Sequence, residues 1–110
     1  MPKIKAGSID INYDVFGQGE PLLLIMGFGM PGAAWMPSLP MLGSFKCIYF
    51  DNRGTGNTDK PEGPYTAVQM ADDASNLLKA LNIPKAKVFG VSMGGMIAQE
   101  LVLRHPEQVE

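Results

Sequence analysis

The chain has 110 residues, of which 45% are hydrophobic and 18% are charged, and its formal net charge is −2. This composition is typical of a globular protein and excludes a largely disordered one. The sequence contains no basic patch and no run of like charge, so we expect no nucleic acid and no acidic membrane surface as its main partner.

The N-terminal sequence, the lengths of the apolar runs and the cysteine content indicate in which compartment the protein is found. Residues 1–14 lack the apolar core of a signal peptide, and no later run is long enough to cross a bilayer. We therefore expect a cytoplasmic protein without a membrane partner. The single cysteine, Cys47, lies in the apolar run FKCIYF, which favours a buried and unreactive thiol. We expect no disulfide within the chain, no metal site and no cofactor.

The first third of the chain predicts two strands and a weaker helix. Residues 9–15 alternate apolar and polar side chains, which is the pattern of a strand with one face in water. After a turn at residues 17–21, PLLLIM at residues 21–26 is continuously apolar and predicts a strand that is buried on both faces. Residues 33–42 are assigned to a helix, although two prolines interrupt them.

Two further buried strands are predicted at residues 46–50, KCIYF, and residues 87–91, KVFGV. A helix lies between them. Thr66 can cap its first turn with Gln69 three residues later. Asn82 and Pro84 are expected to end the helix. The helix has one apolar stripe, formed by Ala67, Met70, Ala71, Ala74, Leu77, Leu78 and Leu81.

Buried strands that alternate with helices predict an α/β fold, a mostly parallel sheet flanked by helices. Ligands of such sheets bind at the carboxyl ends of the strands. Three loops are therefore expected to meet at one site, namely residues 27–32, residues 52–63 and residues 92–95.

The sequence GVSMGG at residues 90–95 places Ser92 between two glycines, after a buried strand and before a helix. Glycines are needed where strand and helix pass closely, and a tight turn exposes the serine hydroxyl. The turn also directs the first helical amides, notably that of Met93, toward an oxyanion formed by attack of the serine on a carbonyl. The alternative is an ordinary turn with an inert serine.

Three linked motifs, PLLLIMGFGM, DNRGTGNTD and GVSMGGMIAQELVLRHPE, resemble in order and spacing the N-terminal half of α/β-hydrolase fold enzymes, the esterase, lipase and haloperoxidase-like group. The resemblance implies that Ser92 is the nucleophile and that the backbone amides of Phe28 and Met93 form the oxyanion hole. Met26 stands where many members have histidine. A serine at this turn also disfavours the branches that use an aspartate nucleophile, so ester-type chemistry is expected.

Other residues permit two interpretations. Asp51 and Arg53, in the DNRGTG sequence, could bind a charged substrate, but tying down a long loop is the commoner use of such a segment. Trp35 and the eight methionines could line an acyl or aromatic pocket, or they could belong to the core, which is more usual.

The catalytic base is missing from this sequence. A serine nucleophile needs a base within hydrogen-bond reach, and the only histidine is His105. If a helix follows Ser92, His105 lies about 18 Å away at its far end. We therefore expect residues 1–110 to be the truncated N-terminal part of a single hydrolase domain, without the acid and the histidine, inactive or weakly active alone.

Two hypotheses follow. The first is a serine hydrolase of carboxylic esters or related small acyl compounds. The second is a non-catalytic binding or assembly module that keeps the front half of the fold. The helix after Ser92 is apolar around most of its circumference, and KVFGV would be an apolar sheet edge, so we also expect self-association through these two elements.

Overall fold

Five strands form one sheet in the computed structural model, which describes residues 1–27, 29–63 and 65–110. The strands are β1 (Lys3–Ala6), β2 (Ile9–Phe16), β3 (Glu20–Ile25), β4 (Phe45–Phe50) and β5 (Lys87–Gly90). Two α-helices, α1 (Ala67–Ala80) and α2 (Met93–Arg104), and two 3₁₀ helices, Gly32–Leu42 and Pro106–Gln108, complete the described chain.

The strand order is β1-β2-β4-β3-β5, and the sheet is mixed. β3 pairs in parallel with β4 and with β5, whereas β2 pairs antiparallel with β4 and with β1. The predicted α/β architecture is confirmed. β1 was not predicted, because a strand of four residues leaves too short a pattern to recognise.

The continuously apolar strands are buried because the sheet is covered on both faces. Successive side chains of a strand point to opposite faces, so Leu23 and Ile25 join the cluster under α1 and α2, whereas Leu22 and Leu24 face the 3₁₀ helix Gly32–Leu42. This second cluster consists of Leu22, Leu24, Met26, Trp35, Leu39, Cys47 and Tyr49.

The helix predicted before Asn82 is present as α1. The Thr66 hydroxyl accepts a hydrogen bond from the Gln69 amide at 3.0 Å, which confirms the predicted cap. Asn82 adopts a left-handed backbone with φ of 59°, and the helix ends before it. Residues 32–42 form a 3₁₀ helix, in which Pro37 and Pro40 supply no backbone donors.

β5 is the exposed edge of the sheet. We expected this strand to be buried on both faces, and that expectation is wrong, since Phe89 is 51% exposed. The expected apolar sheet edge is confirmed by the strand order. α2 buries Ile97 and Leu101 and leaves Met96 and Leu103 exposed. Among the described residues, no helix has the length and apolarity required to span a bilayer.

Candidate active site

Ser92 occupies a strained turn between β5 and α2. Its φ of 57° and ψ of −123° lie in a region that non-glycine residues rarely adopt, and the residue is exposed. A Cβ on Gly90 would overlap the Gly94 carbonyl, and a Cβ on Gly94 would overlap the Ile25 carbonyl. Both glycines are therefore required for α2 to turn back so closely over the sheet.

The loop that follows β3 passes directly beside Ser92. A Cβ built on Gly27 would lie 3.3 Å from Cβ of Ser92 and 3.7 Å from the backbone nitrogen of Met93. Met93 is the first residue of α2, so its N–H is among the four that have no acceptor within the helix. Phe28, the other predicted oxyanion-hole residue, lies outside the described residues.

The loop after β4 begins with Asp51, which is buried and whose carboxylate accepts three hydrogen bonds from described residues. Its Oδ1 accepts from the Gly32 amide at 2.6 Å. Its Oδ2 accepts from Nδ2 of Asn12 at 2.9 Å and from the Asn57 amide at 3.0 Å. The carboxylate thereby connects β2 to the loops that follow β3 and β4.

Asn52, the next residue, is 2% exposed and contacts the same region. Its Nδ2 donates to the Met26 carbonyl at 2.8 Å. Neither Asp51 nor Asn52 was predicted as a catalytic residue, although Asp51 was weighed with Arg53 as a substrate contact and Asn52 lies in the predicted site loop 52–63. The available signal was two polar residues directly after the buried β4, at the carboxyl edge of the sheet.

Arg53 forms a structural ion pair rather than an open binding site. Its Nε and Nη2 donate to the two carboxylate oxygens of Asp73 at 2.6 and 2.8 Å. The hydrogen bonding that Arg53 donates to Asp73 is the main cause that raises the pKa of Arg53. The pair joins the loop after β4 to α1, which agrees with the structural interpretation of the DNRGTG sequence.

Two further side chains belong to the core. Cys47 is fully buried, and desolvation raises the pKa of its thiol, as expected for an unreactive cysteine. Trp35 is 4% exposed, and its ring lies 5.6 Å from that of Phe89. The methionines differ in burial: Met26 and Met70 are buried, whereas Met30, Met36, Met41 and Met96 are exposed.

His105 is not placed to act on Ser92. It follows α2, whose 12 residues separate it from Ser92 by about 18 Å. Its Nε2 lies 2.9 Å from Oδ1 of Asp72, and this contact also holds the His105 side chain at the far end of α2. In the described part of the chain, no group of three or more His, Cys, Asp or Glu residues could hold a metal ion.

Comparison with known proteins agrees with this architecture. The model of the α/β hydrolase fold family matches residues 20–110. A Mycobacterium tuberculosis protein named as a non-heme bromoperoxidase, BpoC, is 44% identical over 104 residues, which are 92% of this chain and 39% of that protein. An Azorhizobium caulinodans protein named as a carbamate hydrolase, RutD, is 36% identical over 110 residues, 99% of this chain and 42% of that protein.

The crystal structure of the enol-lactonase from Burkholderia xenovorans superimposes with a TM-score of 0.94 at 29% identity, over 99% of this chain and 44% of that one. The chain therefore spans between 39% and 44% of the length of these three proteins. Since the family model matches residues 20–110, which are most of the chain, the chain belongs to the α/β hydrolase fold family.

Proposed function

We propose that this chain carries the nucleophile of a serine hydrolase that acts on small carboxylic esters or related acyl compounds, and that Ser92 is that nucleophile. The backbone of Ser92 carries the proposal: an exposed non-glycine residue with φ of 57° stands at a strand-to-helix turn. Such strain persists where the surrounding structure imposes it and where it serves a function.

The surroundings of Ser92 support attack on a carbonyl. In this step the Ser92 oxygen forms a bond to the acyl carbon, its proton passes to a base, and the carbonyl electron pair moves onto the oxygen. The Met93 amide at the start of α2 is a donor for that oxyanion, and the positive end of the helix dipole adds to it. The Phe28 amide is the second donor in this proposal.

Two relatives support the substrate class. The carbamate hydrolase and the enol-lactonase are both named for acyl compounds, in which a carbonyl carbon bears a heteroatom leaving group. Attack by a serine hydroxyl is chemically suited to both. We therefore assign this chain to acyl compounds of this general type.

The base and the acid belong to sequence outside residues 1–110 in this proposal. His105, the only histidine, is held at the far end of α2 by Asp72. Residues 1–110 would then be the N-terminal part of one hydrolase domain, with the nucleophile and the oxyanion hole on it.

The test measures hydrolysis of p-nitrophenyl acetate by the natural full-length protein and by its Ser92→Ala variant. A fluorophosphonate probe, followed by peptide mapping, reports which side chain is labelled. We expect labelling of Ser92 and a loss of kcat on the order of 10⁶-fold in the variant, as for other serine hydrolases. Wild-type turnover by Ser92→Ala would refute the proposal.

A non-catalytic assembly module is the second candidate, and one observation favours it. β5, the turn after it and α2 expose a set of apolar residues, Phe89, Val91, Met96, Val102 and Leu103. Such surfaces mark contact sites. Failure of the full-length protein to react with either reagent, together with stable self-association, would favour this function over hydrolysis.

A further inference from the structure

Two neighbouring residues at the end of β4 hold both ends of the segment that passes beside Ser92. At its start, the Met26 carbonyl accepts a hydrogen bond from Nδ2 of Asn52 at 2.8 Å. At its end, the Gly32 amide donates to Oδ1 of Asp51 at 2.6 Å. We call this pair of contacts the 51–52 clamp.

The Asp51 half of the clamp is firmly supported. Its second oxygen accepts from Asn12 on β2 and from the amide of Asn57. A Cβ on Gly56 would overlap the Asp51 carboxylate, so the loop after β4 also closes tightly around it. Because its hydrogen bonds come from three separate parts of the chain, the carboxylate has little freedom to move.

The Asn52 half has a feature that stability alone does not explain. Nδ2 must be the atom that faces the Met26 carbonyl, because only an N–H can donate to it, and this fixes the amide orientation. The remaining Oδ1 is buried and has no donor among the described residues. A buried oxygen without a donor destabilises a fold, and such departures are expected at functional sites.

The Met26 end of the segment contacts Ser92 through the next residue, Gly27. Gly27, directly after Met26, lies against Ser92, with only 3.3 Å between a Cβ built on Gly27 and Cβ of Ser92. A shift of the Met26–Gly27 peptide therefore changes the backbone that borders the serine and the Met93 amide. Backbone groups stabilise a transition state only when they are fixed in place before the reaction.

We propose that Asn52 is a positioning residue for the reaction at Ser92. It acts through the Met26 carbonyl, and together with Asp51 it fixes Met26 and Gly32, on either side of the contact between Gly27 and Ser92. This inference rests on the proposed function of Ser92. Since the clamp orders backbone rather than binding substrate, its loss lowers kcat more than it changes KM.

The test uses the natural full-length protein and the Asn52→Leu variant, in which a side chain of similar size lacks both the donor and the unpaired oxygen. Ser75→Ala is the control, because Ser75 is 1% exposed and its hydroxyl contacts Gln108, away from the clamp. Amide hydrogen exchange of residues 26–32 tests the clamp directly, and p-nitrophenyl acetate kinetics test its effect on the reaction.

We expect Asn52→Leu to speed exchange in residues 26–32 and to lower kcat on the order of 10²-fold, while Tm stays near that of the wild type. Ser75→Ala should leave exchange in this segment and kcat unchanged. Restoration of slow exchange by Asn52→Gln, whose longer side chain retains the donor, would support the hydrogen bond as the cause.

Each contrary result has a separate meaning. Unchanged exchange of residues 26–32 in Asn52→Leu overturns the clamp. Faster exchange with wild-type kcat overturns the positioning role. Wild-type turnover by Ser92→Ala instead refutes the proposed function and removes the reaction that Asn52 would serve, while the exchange measurement still decides whether the clamp exists.

Discussion

Arg53 and Asp73 form a bidentate ion pair that is almost completely buried. The side chain of Arg53 is 10% exposed and that of Asp73 is 4% exposed, and the shorter of the two contacts is 2.6 Å. Such a pair stabilises a fold only while both partners are present, because either charge alone would be buried without compensation. It joins the loop after β4 to α1 and thereby helps to keep Asp51 and Asn52 at the sheet edge.

The first prediction follows from this pair. Asp73→Asn retains the shape of the side chain but leaves the guanidinium of Arg53 without its counter-charge, which should cost about 3–5 kcal/mol of unfolding free energy. Denaturant titration measures the loss. Glu110→Gln is the control, since Glu110 pairs with Lys87 on the surface and should have little effect. A similar, small effect of both variants would contradict the prediction.

The second prediction compares two adjacent glycines of α2. Gly94→Ala should destabilise the protein by about 1–3 kcal/mol, because the new Cβ would overlap the Ile25 carbonyl. Gly95→Ala should stabilise it by about 0.5–1 kcal/mol, because a Cβ there would lie 3.7 Å from the Gly90 carbonyl oxygen, an ordinary contact, and alanine favours a helix. Thermal unfolding of both variants checks the opposite signs.

The third prediction concerns the oxyanion hole in the natural full-length protein. The proposed donor at residue 28 is a backbone amide, so Phe28→Ala retains it and Phe28→Pro removes it. Loss of one donor costs on the order of 10² to 10³ in kcat. We therefore expect proline to reduce kcat far more than alanine. Equal kinetics of two folded variants would remove Phe28 from this role.

The fourth prediction is a pH dependence at the end of α2. The hydrogen bond from His105, and then those from Arg104, hold the pKa of Asp72 below its ordinary value of 3.8. A carboxyl group whose pKa is lowered in the folded state stabilises the protein at pH above that ordinary value. This contribution disappears as the pH falls through the lower, folded-state pKa.

The measurement compares the unfolding free energy of the wild type with that of Asp72→Asn across the acidic range. The advantage of the wild type should be present above pH 3.8 and should shrink as the pH falls below that value. An advantage that stays constant throughout acid titration would show that the Asp72 charge contributes nothing.

The fifth prediction is self-association of residues 1–110 through β5 and α2, whose exposed apolar groups include Phe89 and Leu103. Light scattering on a dilution series should detect association, and Phe89→Lys or Leu103→Glu should weaken it by adding charge to the contact. Met41→Glu is the control, because Met41 is 86% exposed in the 3₁₀ helix Gly32–Leu42. A monodisperse wild-type monomer at high concentration would contradict this expectation.

The sequence alone determined the features that depend on neighbouring residues. The cap of α1 joins Thr66 to Gln69, three residues apart, and the turn at Ser92 depends on glycines two residues to either side. The continuous apolar runs also identified β3 and β4 as buried strands. Each of these patterns has a period or spacing that the backbone geometry sets locally, so no knowledge of the fold was needed.

Only the tertiary structure decided which of these elements meet. Asn52 and Met26 are 26 positions apart, and Asp51 and Gly32 are 19 apart, yet each pair is joined because β4 lies beside β3 in the sheet. For β5 the sequence predicted both a strand buried on two faces and an apolar sheet edge, and the strand order decided for the edge. Pairing between distant segments depends on packing across the whole sheet, so a local pattern can identify a strand without identifying its neighbours.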